Sequence, residues 1–108
     1  MLEAYDAYLV TLRSIRGEIA RIEHRDIDLA RQLRRAAASV ALNMAEGSGS
    51  QGGTRRQRYL SSLGSANEVL ACFDVASALG YCDPPPNLRR SLQRTIATLV
   101  CLTGLRTT

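Results

Sequence analysis

Apolar residues recur along most of this chain at helical spacing, and nowhere do they alternate over a strand-length run. From Leu2 to Glu23 they form two interleaved series. Tyr5, Leu12 and Ile19 stand seven apart, and Tyr8, Ile15 and Ile22 repeat that step offset by three. This is an a/d seam, which leaves Glu3, Arg13, Arg16, Glu18 and Arg21 for the wet flanks. HRDID, residues 24–28, interrupts the pattern, and Asp26 or Asp28 can cap the next helix. That second helix is predicted over 27–46, with Leu29, Leu33, Ala36, Ala37, Val40 and Met44 turned inward and Gly47 as a left-handed stop. GSGSQGG, residues 47–53, reads as a mobile connector. Thr54 and Gln57 fit a capping box, which predicts a third helix over 54–79, halted by Gly80. After DPPPN, residues 83–87, a fourth helix is predicted over 86–105, carrying Leu88, Leu92, Ile96, Leu99 and Cys101 or Leu102. Helices at residues 2–23, 27–46, 54–79 and 86–105 with short connections predict one domain over residues 1–108. Its class is all-α, an up-down-up-down antiparallel four-helix bundle.

The third helix has more apolar surface than one bundle face needs. Tyr59, Leu63, Ala66, Leu70 and Phe73 cluster on one side, while Val69, Cys72, Ala76 and Leu79 cluster on another. Leu42 projects away from Val40, on the stripe of Arg31, Arg34, Arg35 and Ala38. Leu42, Val69, Cys72, Ala76 and Leu79 are therefore expected to form an interface in a homo-oligomer. The competing reading is a central helix that touches neighbours across a broad core.

The chain is 45% hydrophobic and 22% charged, an ordinary globular balance, and only 5% aromatic, so the core must be aliphatic. Every one of its 14 basic residues is Arg. A GC-rich genome accounts for that choice. The distribution of charge says more. Residues 1–30 sum to −2, residues 31–58 to +5 and residues 59–108 to +1, within a net charge of +4. The basic middle stretch points to an acidic partner or a polyanion. Arg55, Arg56 and Arg58 oppose the dipole of the helix they open, which suggests another demand on them. Nucleic acid or another polyanion is the leading expectation, intersubunit salt bridges the next, and a merely solvated face the last. Arg31, Arg34, Arg35, Arg55, Arg56 and Arg58 are the candidate phosphate contacts, converging on one surface across the flexible connector.

Catalysis has little to work with. Ser48, Ser50, Ser61 and Ser62 have no nearby histidine, because His24 is the only one in the chain. The Glu-x-x-His signature of bundle metal sites is missing, as are the Lys and Ser/Thr of a phosphate-binding loop. No catalytic residue, metal or cofactor is predicted, and the chain is expected not to be an enzyme. Asn43 and Glu46 in the second helix, with Asn67 and Glu68 in the third, are assigned to a structural polar cluster. Asn43 or Glu46 is expected to bond the loop N–H groups beyond Gly47. Cys72, Cys82 and Cys101 lack CxxC spacing and are read as buried reduced thiols. MLEAYDAYL has no basic leader, and no segment approaches the length of a membrane span. A cytoplasmic protein away from membranes is expected.

Four stretches carry a family resemblance. LRRAA at 33–37 leads into Ser39, Val40 and then NMAEGSG at 43–49, and LGSANEVL at 63–70 and ALGY at 78–81 come after it. Together they resemble the 23S rRNA-intervening sequence protein family of four-helix bundles, whose motif runs L-R-R-A-A-x-S-I-x-x-N-I-A-E-G-x-G. The likeness covers roughly residues 5–105. It implies a ring-like homopentamer of up-down bundles and, by similarity to the accessory variability determinant of diversity-generating retroelements, work beside a reverse transcriptase with nucleic acid held on basic surfaces. The connector departs from the pattern, since GSQGG stands where the family is basic, then acidic and aromatic.

Overall fold

A computed structural model describes residues 3–105. Four helices succeed one another: α1 (Glu3–Glu23), α2 (Ile27–Ser48), α3 (Gly52–Ala78) and α4 (Pro86–Thr103). Each packs on its neighbour in sequence, and α4 closes on α1. Short turns and that closed order make the all-α, up-down-up-down four-helix bundle that the periodicity predicts. The bundle measures 42 × 27 × 20 Å, and its long axis matches the roughly 40 Å expected of the 27-residue α3.

The core is aliphatic around three aromatic rings, Tyr8, Tyr59 and Phe73. Tyr8, Ile15, Ile22, Leu33, Val40, Phe73, Leu92 and Leu99 are fully buried. Each such side chain contributes ~1.5–3 kcal/mol relative to exposure. On α1 the two series separate in role. Tyr8, Ile15 and Ile22 point into the bundle, whereas in the other series Tyr5 and Leu12 are half-buried beside it and only Ile19 is buried. The Tyr8 hydroxyl lies within the core and donates to the Ala37 carbonyl at 2.8 Å.

The helix ends show which local signals operate. The Asp26 carboxylate accepts from the Leu29 N–H at 2.9 Å, which settles the capping choice between Asp26 and Asp28. Asp26→Ala is expected to cost about 1 kcal/mol in urea denaturation. An equal loss from Asp28→Ala would remove that assignment. Gly80 has φ +76°, and the Tyr81 N–H reaches back to the Ala76 carbonyl at 2.8 Å, closing α3 as a Schellman turn.

Other ends differ from expectation. α2 does not stop before Gly47 but continues through Ser48, and Gly47 is helical and buried. Its bare Cα faces the Tyr59 ring: a Cβ there would lie 2.6 Å from Cε1. α3 begins at Gly52 (φ +59°), ahead of Thr54, and its N-cap, Gln51, makes no side-chain cap bond. The capping box of Thr54 and Gln57 is therefore not used, and the connector shrinks to three residues, 49–51.

Two buried polar contacts depart from the expected pattern. Glu18, expected on a wet flank, is buried and accepts from the Cys82 thiol at 3.1 Å. Ser62 is fully buried and donates to the Val40 carbonyl at 2.8 Å. Cys72 and Cys82 are buried free thiols as expected, whereas Cys101 is exposed on α4.

Candidate nucleic-acid interface

The six candidate arginines form two groups instead of one. Arg31, Arg34 and Arg35 lie in the N-terminal half of α2, while Arg55, Arg56 and Arg58 open α3. α2 continues some thirteen residues beyond Arg35 before the turn into α3, a separation of roughly 20 Å along the bundle. The connector therefore does not bring all six onto one small surface. Antiparallel packing separates them.

The α3 group is committed within the chain. Arg55 Nε donates to the Ser50 carbonyl at 2.8 Å. Arg56 Nε donates to the carbonyl of Thr103, the last residue of α4, at 3.0 Å. Arg58 pairs with Glu46 at 2.9 Å. These contacts resolve the apparent violation at the start of α3. Antiparallel packing sets that end beside the C-termini of α2 and α4, where the unpaired carbonyls favour cations. The arginines oppose their own helix dipole but complement two others.

The α2 group is freer. Arg34 lies 3.6 Å from Glu23, with both side chains about half exposed, so the pair holds weakly. Arg31 and Arg35 are exposed and have no carboxylate partner among the described residues. With Asp28, Gln32 and Arg34 they line one shallow depression.

The four expected cluster residues do not meet. Asn43 Nδ2 donates to the Ser39 carbonyl and to Ser39 Oγ, each at 3.0 Å. Glu46 pairs with Arg58, and neither it nor Asn43 takes a loop N–H through its side chain. Glu68 accepts from Gln32 at 3.3 Å on the surface, and Asn67 is exposed. The polar seam that does join α2 to α3 runs through serines: Ser65 donates to Ser39 at 2.8 Å, beside Asn43 and above the buried Ser62. Small hydroxyls on facing helices were the available signal for it.

The expected subunit interface also divides. Val69, Cys72 and Ala76 are buried in the chain's own core, so these three are not an external stripe. α3 packs on both α2 and α4, and that broad contact absorbs Val69, Cys72 and Ala76 together with Tyr59, Leu63, Ala66 and Phe73. Leu42 and Leu79 stay on the surface, 64% and 55% exposed.

These features define an antiparallel helical bundle with a basic face on α2. No helix among the described residues is long and apolar enough to cross a membrane. The chain belongs to the 23S rRNA-intervening sequence protein family, whose model matches residues 7–100. No curated protein matches the chain at a significant level.

Proposed function

We propose that the protein is a non-catalytic, homo-oligomeric bundle that binds nucleic acid through α2. One observation supports this most. Within LRRAAASVALNMAEG, most apolar and small residues build the core, Ser39 joins α3 and is held by Asn43, Gly47 seats Tyr59, Arg34 pairs with Glu23 and Glu46 with Arg58. Arg35 has no such role, and Arg31 stands one turn before it. Two guanidinium forks on open surface suit phosphate oxygens, and with few base-reading groups nearby the contact reads backbone in preference to sequence. In a ring of five the patch is repeated in each subunit, and avidity strengthens a weak single contact. The family likeness makes a reverse transcriptase working on RNA the nucleoprotein partner to test first. Three free thiols suit a cytoplasmic setting.

A purely structural scaffold is the second reading. It is favoured by the commitment of Arg34, Arg55, Arg56 and Arg58 to contacts within the chain. Fluorescence anisotropy with a structured RNA and a duplex DNA across a salt series separates the two. Binding is expected to weaken steeply with salt, by about 0.9 in log–log slope for each duplex phosphate contact and about 0.7 for each single-strand contact. Arg31→Ala/Arg35→Ala should flatten that slope more than Arg55→Ala/Arg56→Ala does. An absence of binding at low salt would leave the scaffold reading.

A further inference from the structure

We propose that the groove between α1 and α2 receives the outward face of α3 from a second copy of this chain, so that the copies join head to tail. The inference rests on the self-association proposed above and names the two faces that make it.

The groove encloses about 550 Å³. Leu9, Leu12, Ile19 and Ala37 floor it, Arg13 and Arg16 stand on its α1 rim, and the Glu23–Arg34 pair adds no net charge to it. Leu42, one turn past the lining residue Ala38, extends its apolar edge along α2. A seam between two helices with an apolar floor is shaped for a third helix.

α3 offers such a helix. Gly64, Glu68, Ala71, Val75 and Ala78 are all exposed, and they succeed one another at steps of four and three. That is the spacing of a packing seam. Val75 is 46% exposed, and Leu79 stands at its end. The outward side of α3 thus carries Ala71, Val75 and Ala78 toward its C-terminal end, while its inward side fills the core. Its seam carries one carboxylate without a cationic partner, Glu68, which accepts from Gln32 at 3.3 Å, while Asp74 beside it is paired with Arg89 at 2.9 Å.

Charge decides the pairing. Two grooves face to face would set Arg13 and Arg16 against their own copies, and two α3 faces would oppose their Glu68 side chains. Groove against α3 brings Arg13 and Arg16 toward Glu68 and the apolar floor toward Ala71, Val75 and Ala78. Two different patches make the contact heterologous, and such contacts close into rings when the rotation allows. α3 neighbours α2, so the two patches are not diametrically opposed, and successive copies turn.

The test is sedimentation velocity on full-length protein. Val75→Arg spoils the α3 face, and Arg13→Glu/Arg16→Glu spoils the groove. All three positions are exposed, and thermal melts followed by circular dichroism check that each variant folds. Wild type should sediment well above the 11.8 kDa of one chain, and each variant alone at that mass. An equimolar mixture of the two variants should yield a species of twice the single-chain mass, because one retains a sound groove and the other a sound α3 face. If either variant alone stays fully assembled, or if the mixture stays monomeric, these faces are wrong while self-association stands. A monomeric wild type overturns the self-association itself.

Discussion

Gly47→Ala is expected to destabilise the bundle, although the same exchange in an exposed helix stabilises it. Gly47 lies inside α2, where Ala is the better helix former by about 1 kcal/mol. Packing opposes that gain. The added Cβ would sit 2.6 Å from Tyr59 Cε1 and 2.8 Å from Cδ1, well inside van der Waals contact. The ring cannot swing into solvent, because Tyr59 is only 4% exposed. Overpacking of this kind costs about 1–3 kcal/mol, which exceeds the propensity gain, and Gly47→Leu should approach the upper end. Gly17, in the middle of α1, has nothing within 4 Å of its Cβ position. Gly17→Ala should therefore raise the urea midpoint, while Gly47→Ala lowers it. Equal gains from both would remove the account. A left-handed backbone at Gly47 would also penalise Ala, but a smaller side chain at Tyr59 could not relieve it. Tyr59→Ala should relieve the Gly47→Ala penalty in a double-mutant cycle, since the two groups touch.

That glycine illustrates what was legible in the sequence. The motif ending in Glu46–Gly47 marks a special position, and the exchange of a turn for a close approach could not be read from spacing alone. The 3.6-residue period placed Leu33, Val40 and Met44 in the core because it reports which face is apolar. It misplaced Val69, Cys72 and Ala76, since a helix with two packed neighbours and one with an external partner share the same pattern. Glu18 was assigned to water because carboxylates are rarely buried, and its partner Cys82 is 64 residues away. A separation of 47 residues likewise hid the role of Arg56, whose acceptor Thr103 is at the far end of α4.

The arginines carry the functional consequence. Local helix physics made Arg55, Arg56 and Arg58 look like the residues set aside for a ligand. In the bundle, the carbonyl ends of neighbouring helices and Glu46 account for them. Of the six candidate arginines, those left without a partner among the described residues are Arg31 and Arg35, on α2. The search for a polyanion thus moves along the molecule, away from the glycine connector.

Alkaline pH is expected to unfold the protein, and the effect should trace to three buried groups. Burial pushes the Tyr8 phenol above its ordinary value of 10.0. Burial likewise raises the Cys72 thiol, and the Glu68 charge adds to that. The Cys82 thiol is pushed up from 9.0 to about 12, first by burial, then by its hydrogen bond to Glu18 and that carboxylate's charge. Each folded value lies above the unfolded one, so each contribution is complete below the unfolded value. It fades as pH rises, for Cys82 across the window from 9.0 to about 12. Over that span the unfolded chain releases protons that the bundle keeps, and unfolding gains. Thermal melts at stepped pH should show the midpoint falling steadily above about pH 9. Tyr8→Phe loses the bond to Ala37 and should cost about 0.5–1.5 kcal/mol at neutral pH. Cys82→Ala leaves Glu18 buried with only Arg21 nearby, at 3.8 Å, and should also destabilise there. Both variants should nevertheless show a shallower decline at high pH than wild type, because each removes a group that must ionise. An alkaline slope unchanged in both would remove Tyr8 and Cys82 from the account.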